Sequence, residues 1–252
     1  MPFLRQSLLT SSNFLCGLVS IAVALTATAS TFAQEESVKP GINDSFRDPN
    51  VAQYVERFES EGREVYDQRE KIVETLALKP GSTVADIGAG TGLFTRLLAD
   101  KVGAEGRVYA VDIARSFVNR IVTEARQAGS KNIIGVICDD RSCQLPPNSI
   151  DLAYICDTYH HFEFPQDTLK SIHQALREKG RLAVVDFQRI EGTSTDWIMG
   201  HVRAGKETFQ AEIEAAGFQL VSEPQGLLKD NYLLIFEKAS SENSDNQPKT
   251  QK

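Results

Sequence analysis

From about residue 63 onward, short apolar runs alternate with stretches whose apolar residues recur every three or four positions. The runs lie at residues 83–87, 107–113, 132–138, 150–156 and 180–187. Each reads as a strand, because an apolar run of four to eight residues bounded by turn or charged residues suits a sheet covered on both faces. Between them, residues 91–100, 116–128 and 165–178 carry helical spacing. A further helix is predicted over residues 63–78, with Val65, Ile72, Val73 and Leu76 on one face and Pro80-Gly81 as its stop. After the fifth run, a helix over residues 206–216 ends at Gly217, and residues 219–223 and 232–238 read as two closing strands. Strand and helix in alternation imply parallel β-α-β units with right-handed crossovers, hence an α/β fold with helices on both faces of the sheet.

The ends of the chain break this pattern. Residues 1–33 contain one basic residue, Arg5, and no acid, and residues 14–29 are an apolar stretch diluted with Ser and Thr. That order predicts a signal peptide, cut after Ala33 rather than Ala29 because Gln34-Glu35-Glu36 begins a polar terminus. The expected location is periplasmic or secreted. A retained inner-membrane anchor is the alternative, although the stretch is short of the ~20 apolar residues a spanning helix needs. Residues 34–60, with Pro40, Gly41, Asp44 and Pro49, read as a flexible lead-in, residues 61–239 as the folded domain, and residues 240–252 as a disordered tail.

Charge and cysteine usage narrow the partners. The 252 residues carry a net charge of −7 and no dense Lys/Arg block, which argues against a nucleic-acid surface. Removing the leader takes away only Arg5 and leaves 26 basic against 34 acidic residues. Three of the four cysteines, Cys138, Cys143 and Cys156, lie beyond the leader. An odd number argues against a disulfide framework, while Cys138 and Cys143 are near enough in sequence to pair in an oxidising compartment.

Candidate chemistry centres on Val84 to Gly92, VADIGAGTG. Glycines at 88, 90 and 92 after a strand let the backbone approach a ligand closely, and Thr91 is a candidate cap for the following helix. The dinucleotide fingerprint G-x-G-x-x-G is not met, because its last position holds Leu93. Asp112 ends the second strand 20 residues after Gly92, where a carboxylate can accept hydrogen bonds from both hydroxyls of a ribose.

The stretches VADIGAGTGLFTRLLA, VYAVDIA, NIIGVICDD and IDLAYICDTYHHF resemble, in order and spacing, the first four motifs of class I S-adenosylmethionine-dependent methyltransferases. The preceding block GREVYDQREKIVETLALKPG is similar to the helix such enzymes place over the cofactor. The resemblance covers about residues 60–238 and implies a doubly wound, Rossmann-like sheet of seven strands, the last antiparallel. It also implies that Asp86, Gly88, Gly90 and Gly92 face the methionine part of S-adenosyl-L-methionine, and Asp112 the ribose. Asp139 would meet the adenine amino group, Ile113 the adenine face, and Asp157 the region of the transferred methyl. The acceptor is expected to be a small molecule. A non-catalytic cofactor-binding protein and a nicotinamide-dependent oxidoreductase are the alternatives, the second weakened by the missing glycine.

Asp157-Thr158-Tyr159-His160-His161-Phe162 follows the fourth strand and holds two of the four histidines. His160 and His161 are candidate bases for an attacking hydroxyl, amine or thiol, and a strand-capping role is the alternative. Cys138, Cys143, Cys156 and His160 have zinc-like spacing. In the implied strand order Cys138 and Cys156 sit three strand spacings apart, about 14 Å, so no metal is expected. Residues 188–205, with Trp197, Met199 and His201 and flanked by Arg189 and Arg203, form the one sizeable insertion able to close over a substrate. Those two arginines would favour an acidic group.

Overall fold

The computed structural model describes residues 36–239. The leader with its cleavage site and the C-terminal tail lie outside them. Seven strands form one sheet: β1 (Thr83–Ile87), β2 (Arg107–Asp112), β3 (Ile133–Ile137), β4 (Ile150–Cys156), β5 (Leu176–Phe187), β6 (Phe218–Ser222) and β7 (Asn231–Lys238). Their order is β3-β2-β1-β4-β5-β7-β6. The pairs from β3 to β5 are parallel, and β7 runs antiparallel to both of its neighbours.

The central runs are continuously apolar because both faces are covered. On β4, Ala153 and Ile155 face one core with Leu169 and Ile172 of α7 (Pro165–Ala175) and Phe209 and Ile213 of α9 (Lys206–Ala215). Leu152 and Tyr154 face the other, with Ile72 and Val73 of α4 (Arg69–Thr75) and Leu98 of α5 (Leu93–Val102). Successive side chains point to opposite faces, so a strand between two helical layers has no polar side to show. A further helix, α6 (Arg115–Gln127), packs on β2 and β3.

Three sequence expectations change. The predicted helix over residues 63–78 is two short ones, α3 (Glu64–Asp67) and α4, and α4 ends three residues early where Ala77 takes a φ of +49° ahead of Pro80-Gly81. β5 begins four residues early, because Leu176 already pairs with Ile150 ahead of a register shift that bulges β5 before Arg181 pairs with Leu152. The largest change is in residues 34–60, expected to be a flexible lead-in. Their described part folds, with α1 (Asp44–Arg47) and α2 (Val51–Phe58) laid against the carboxyl ends of the strands. The Val38 amide donates to the Glu163 carbonyl, Lys39 Nζ to the carbonyls of Gly200 and His201, and Asn43 Nδ2 to the His161 carbonyl. Phe46, Tyr54 and Phe58 form a chain of ring contacts 5.2 and 5.1 Å apart, and Tyr54 also meets Phe117 of α6 at 5.6 Å.

Candidate active site

The crevice at the carboxyl ends of β1, β2 and β4 encloses about 540 Å³. That is within the roughly 300–1,000 Å³ of small-molecule sites. Gly88, Gly90, Asp86, Asp112, Ile113, Asp139, Asp157, His160 and His161 all line it, so every residue assigned from the sequence to the cofactor or to catalysis, except Gly92, borders one cavity.

The glycine loop is shaped by β2. The amides of Gly88 and Ala89 donate to the Val111 carbonyl at 2.8 and 3.1 Å, and the Gly90 amide to Asp112 Oδ2 at 2.8 Å. The other carboxylate oxygen of Asp112 accepts from the Ala114 amide at 2.8 Å. Gly90 has a φ of +52°, a region few L-residues adopt. Gly92 and not Thr91 is the cap of α5, and no side chain caps that helix. Burial pushes Asp112 up to about 6, against the backbone amides that favour its charge. Asp86 accepts a 2.6 Å hydrogen bond from Thr95 and is pushed up to about 7, chiefly by burial, with Asp112 adding to it.

At the other side Asp139 is engaged locally, accepting from the Arg141 amide and from Gln144 Nε2. Cys138 and Cys143 line the cavity as free thiols, and burial raises the pKa of both. The zinc-like cysteine spacing gathers no cluster among the described residues: β3 and β4 flank β2 and β1, as the strand order requires.

Asp157 follows β4 with a φ of +47°, a strained value for a non-glycine residue. Its carboxylate accepts from Arg63 Nη2 and Asn231 Nδ2, both at 2.6 Å. Arg63 also donates to the Phe58 carbonyl at the end of α2, so Asp157 ties the covering helices to the sheet. Both its oxygens are occupied, which fits it for positioning better than for proton transfer.

His160 and His161 lie on a single 3-10 turn, Tyr159–His161. His160 Nδ1 is 2.8 Å from Asp186 Oδ1, and the His160 amide donates to Asp186 Oδ2. Both side chains are buried, and His160 Nε2 has no partner among the described residues. Asp186 escaped the sequence reading. Its signal was a lone carboxylate in the apolar run Val184-Val185-Asp186-Phe187, at the end of a strand beside the crevice. Burial lowers His161 to about 2, and His201 to about 4.

The insertion at residues 188–205 forms α8 (Asp196–His201). Trp197 stacks on His201 with ring centroids 4.6 Å apart and meets Phe187 edge-on, closing the cavity opposite the glycine loop. Arg189 and Arg203 do not line it. Arg203 is paired with Glu212, and Arg189 donates to the Met199 carbonyl, so both brace the insertion rather than face an acidic ligand.

Comparison with known proteins agrees with this architecture. Residues 78–240 match the family model described as methyltransferase domain. Curated relatives include the ubiquinone/menaquinone biosynthesis C-methyltransferase UbiE of Hydrogenovibrio crunogenus, 29% identical over 122 residues that make up 47% of each chain. Phosphoethanolamine N-methyltransferase 2 of Caenorhabditis elegans is 25% identical over 132 residues, 52% of this chain and 30% of that one. The chain thus spans about half the length of the UbiE relative. Among solved structures, an S-adenosylmethionine-dependent methyltransferase from Aquifex aeolicus superposes with a TM-score of 0.67 at 23% identity, over 76% of this chain and all of that one. A protein from Bordetella parapertussis described as a possible exported protein gives 0.58 at 14% identity, over 77% and 81%. The domain match covers well over half of the sequence, and with it the chain belongs to the class I S-adenosylmethionine-dependent methyltransferase family.

Proposed function

We propose that the chain methylates a small acceptor with a flat, apolar body, held between Trp197, Phe187 and Phe46 and against His160. The observation that carries this reading is the division of the cavity. The glycine loop with Asp86 and Asp112 borders it beside Phe58, and Trp197, Phe187, Phe46 and the three histidines border it together elsewhere. The curated relatives methylate carbon in one case and nitrogen in another by their names, and the aromatic end favours a ring-bearing acceptor over a small charged amine. An acceptor panel read out by S-adenosylhomocysteine formation tests it. Turnover confined to charged aliphatic amines would remove it.

The glycine loop fits the donor. A Cβ built at Gly90 would project to 3.6 Å from the Phe58 ring, into the cavity between loop and α2, where only a bare backbone leaves room for a ligand. When bound, S-adenosylmethionine supplies an electrophilic methyl group. Asp112 accepts hydrogen bonds from the ribose hydroxyls on lone pairs that the Gly90 and Ala114 amides leave free. Ile113 would lie against the adenine, with Asp139 near its amino group. Gly88, Gly90 and Asp86 would hold the methionine portion. The covering helices exclude water. His160, turned by Asp186 so that Nε2 faces the cavity, takes the proton that the acceptor releases.

Asp112 gives this reading a pH signature. Its carboxylate accepts best when ionised and titrates near 6 in the free enzyme. Donor affinity is therefore full above that pH and lost as pH falls through it. At pH 5 it should be about tenfold weaker than at pH 8, one pKa unit being tenfold. Asp112→Ala should cost about 1.5–3 kcal/mol of binding at pH 8 and flatten that part of the profile. Calorimetric titration checks both, and unchanged affinity in Asp112→Ala would end the ribose assignment.

We further propose export, on the charge-poor, apolar N-terminal sequence and the small residues before Gln34. Intact-mass measurement of the native protein should give a chain starting at Gln34. A mass that retains Met1 to Ala33 would favour the membrane anchor instead.

A further inference from the structure

His160, His161 and His201 come from two elements 40 residues apart and converge on one wall of the cavity. Their ring centroids are 4.3, 5.0 and 5.1 Å apart, and one ring nitrogen from each lies within 4.8 Å of the others. We propose that these three histidines form a binding site for one divalent transition-metal cation of the zinc type, which would take the His160 Nε2 lone pair and so compete with its role as proton acceptor.

Four features support a site over simple packing. His161 Nε2 and His201 Nε2 are 3.3 Å apart. That is the edge expected between two ligands of a tetrahedral zinc, about 3.3–3.4 Å for Zn–N bonds of ~2.0–2.1 Å. Among the described residues His160 Nε2 is buried without a hydrogen-bond partner, an unfavourable arrangement unless something takes its lone pair. Asp186 holds the proton on His160 Nδ1, the carboxylate-histidine pairing that orients metal ligands and makes them more basic. Finally, His201 is fixed from outside the cluster, by Trp197 stacked on its ring and Lys39 bonded to its carbonyl.

The donor set selects the ion. Three imidazoles suit zinc, cobalt, nickel or copper, whereas magnesium and calcium prefer oxygen. Three protein ligands also leave a fourth position, open towards the cavity, as in catalytic rather than structural zinc sites. Lys39 and Arg57 oppose a cation nearby, and the Asp186 carboxylate behind His160 offsets them.

Binding is measurable without donor or acceptor, so its outcome is separate from that of the methyl-transfer reading. Untagged full-length chain, treated with chelator and dialysed, is titrated with zinc by calorimetry and with cobalt by visible absorption. The expected result is saturation at one ion per chain with the intense absorption of four-coordinate cobalt. His201→Ala, at the partly exposed end of the cluster, should weaken zinc binding by at least about 100-fold, and Asp186→Asn by about 10–100-fold. His161→Gln, a polar replacement of similar size, should lose binding while keeping the melting temperature. No saturable binding, or wild-type affinity in both His201→Ala and His161→Gln, overturns the site.

Discussion

In chelator-treated enzyme, replacing His160 with alanine should lower kcat by about 10²–10⁴-fold, the usual contribution of a positioned proton acceptor, and leave donor affinity unchanged. The ring is not free to turn. Asp186 Oδ1 meets His160 Nδ1 and also accepts from the Phe187 amide, while Oδ2 accepts from the His160 amide. Asp186 therefore fixes both the tautomer and the direction of Nε2. Asp186→Asn should act through the same nitrogen, so its loss of kcat should not add to that of His160→Ala in the double variant. His161 differs although it is adjacent. Burial and its histidine neighbours keep it neutral down to about pH 2, which makes it a weak base. His161→Ala should cost less than about tenfold and act mainly on KM for the acceptor. Initial rates and donor titrations on the four variants and the wild type check this, the titrations also reporting an intact fold. A His160→Ala enzyme with near-normal kcat would leave alignment of donor and acceptor as the source of rate.

Which parts of this site were readable in the sequence depends on how far each signal extends along the chain. The central strands announce themselves because burial on both faces removes most polar positions from their runs, while the edge strand β3 is apolar although half exposed. The glycine loop does so because close backbone approach excludes side chains at fixed spacing. Asp112 follows from its place at a strand end. The covering segment carries a shorter mark that the reading as a lead-in passed over: Val51, Tyr54, Val55 and Phe58 stand at helical spacing behind the Asn50 cap. Residues 36–50 are polar and rich in turn formers, and what orders them is distant: Val38 bonds to Glu163, Asn43 to His161, Lys39 to Gly200 and His201. No periodicity records a partner more than 100 residues away. His201 stands in the insertion already suspected of closing the site, yet its approach to His161 depends on how α8 packs on Phe187. Asp186 was the more legible omission, since an isolated carboxylate in a buried strand is costly unless it has a partner. Arg189 and Arg203 show the reverse error: charge beside an insertion suggested a ligand, and the charges are spent on Met199 and Glu212.

Gly90→Val should remove donor binding, by about 100-fold or more, in a protein that still folds. The glycines of the loop separate into different cases. A Cβ at Gly88 would overlap the Thr158 side chain, and one at Gly92 would lie 2.7 Å from Ile121 Cγ1, so substitution at either disturbs the packing of the chain itself. At Gly90 the nearest atom is Phe58 Cε2 at 3.6 Å, an ordinary contact, and the added group enters the cavity. The left-handed backbone there costs an L-residue about 1–2 kcal/mol, which a domain of this size tolerates with a modest fall in melting temperature. Valine adds two branches in the space assigned to the methionine portion and resists the loop's φ, so steric exclusion adds to the backbone cost at every attempt to bind. Gly90→Ala, with one methyl, should fall between valine and wild type. Gly88→Ala should melt far lower than either because Thr158 also donates to the Cys156 carbonyl and cannot retreat without breaking that bond. Thermal melts and calorimetric titration with S-adenosylmethionine on the three variants separate the two effects. A Gly90→Val protein that binds donor like the wild type would show that the ligand does not pass over this loop, and the assignment of Gly88 and Gly90 to the methionine end would fall with it.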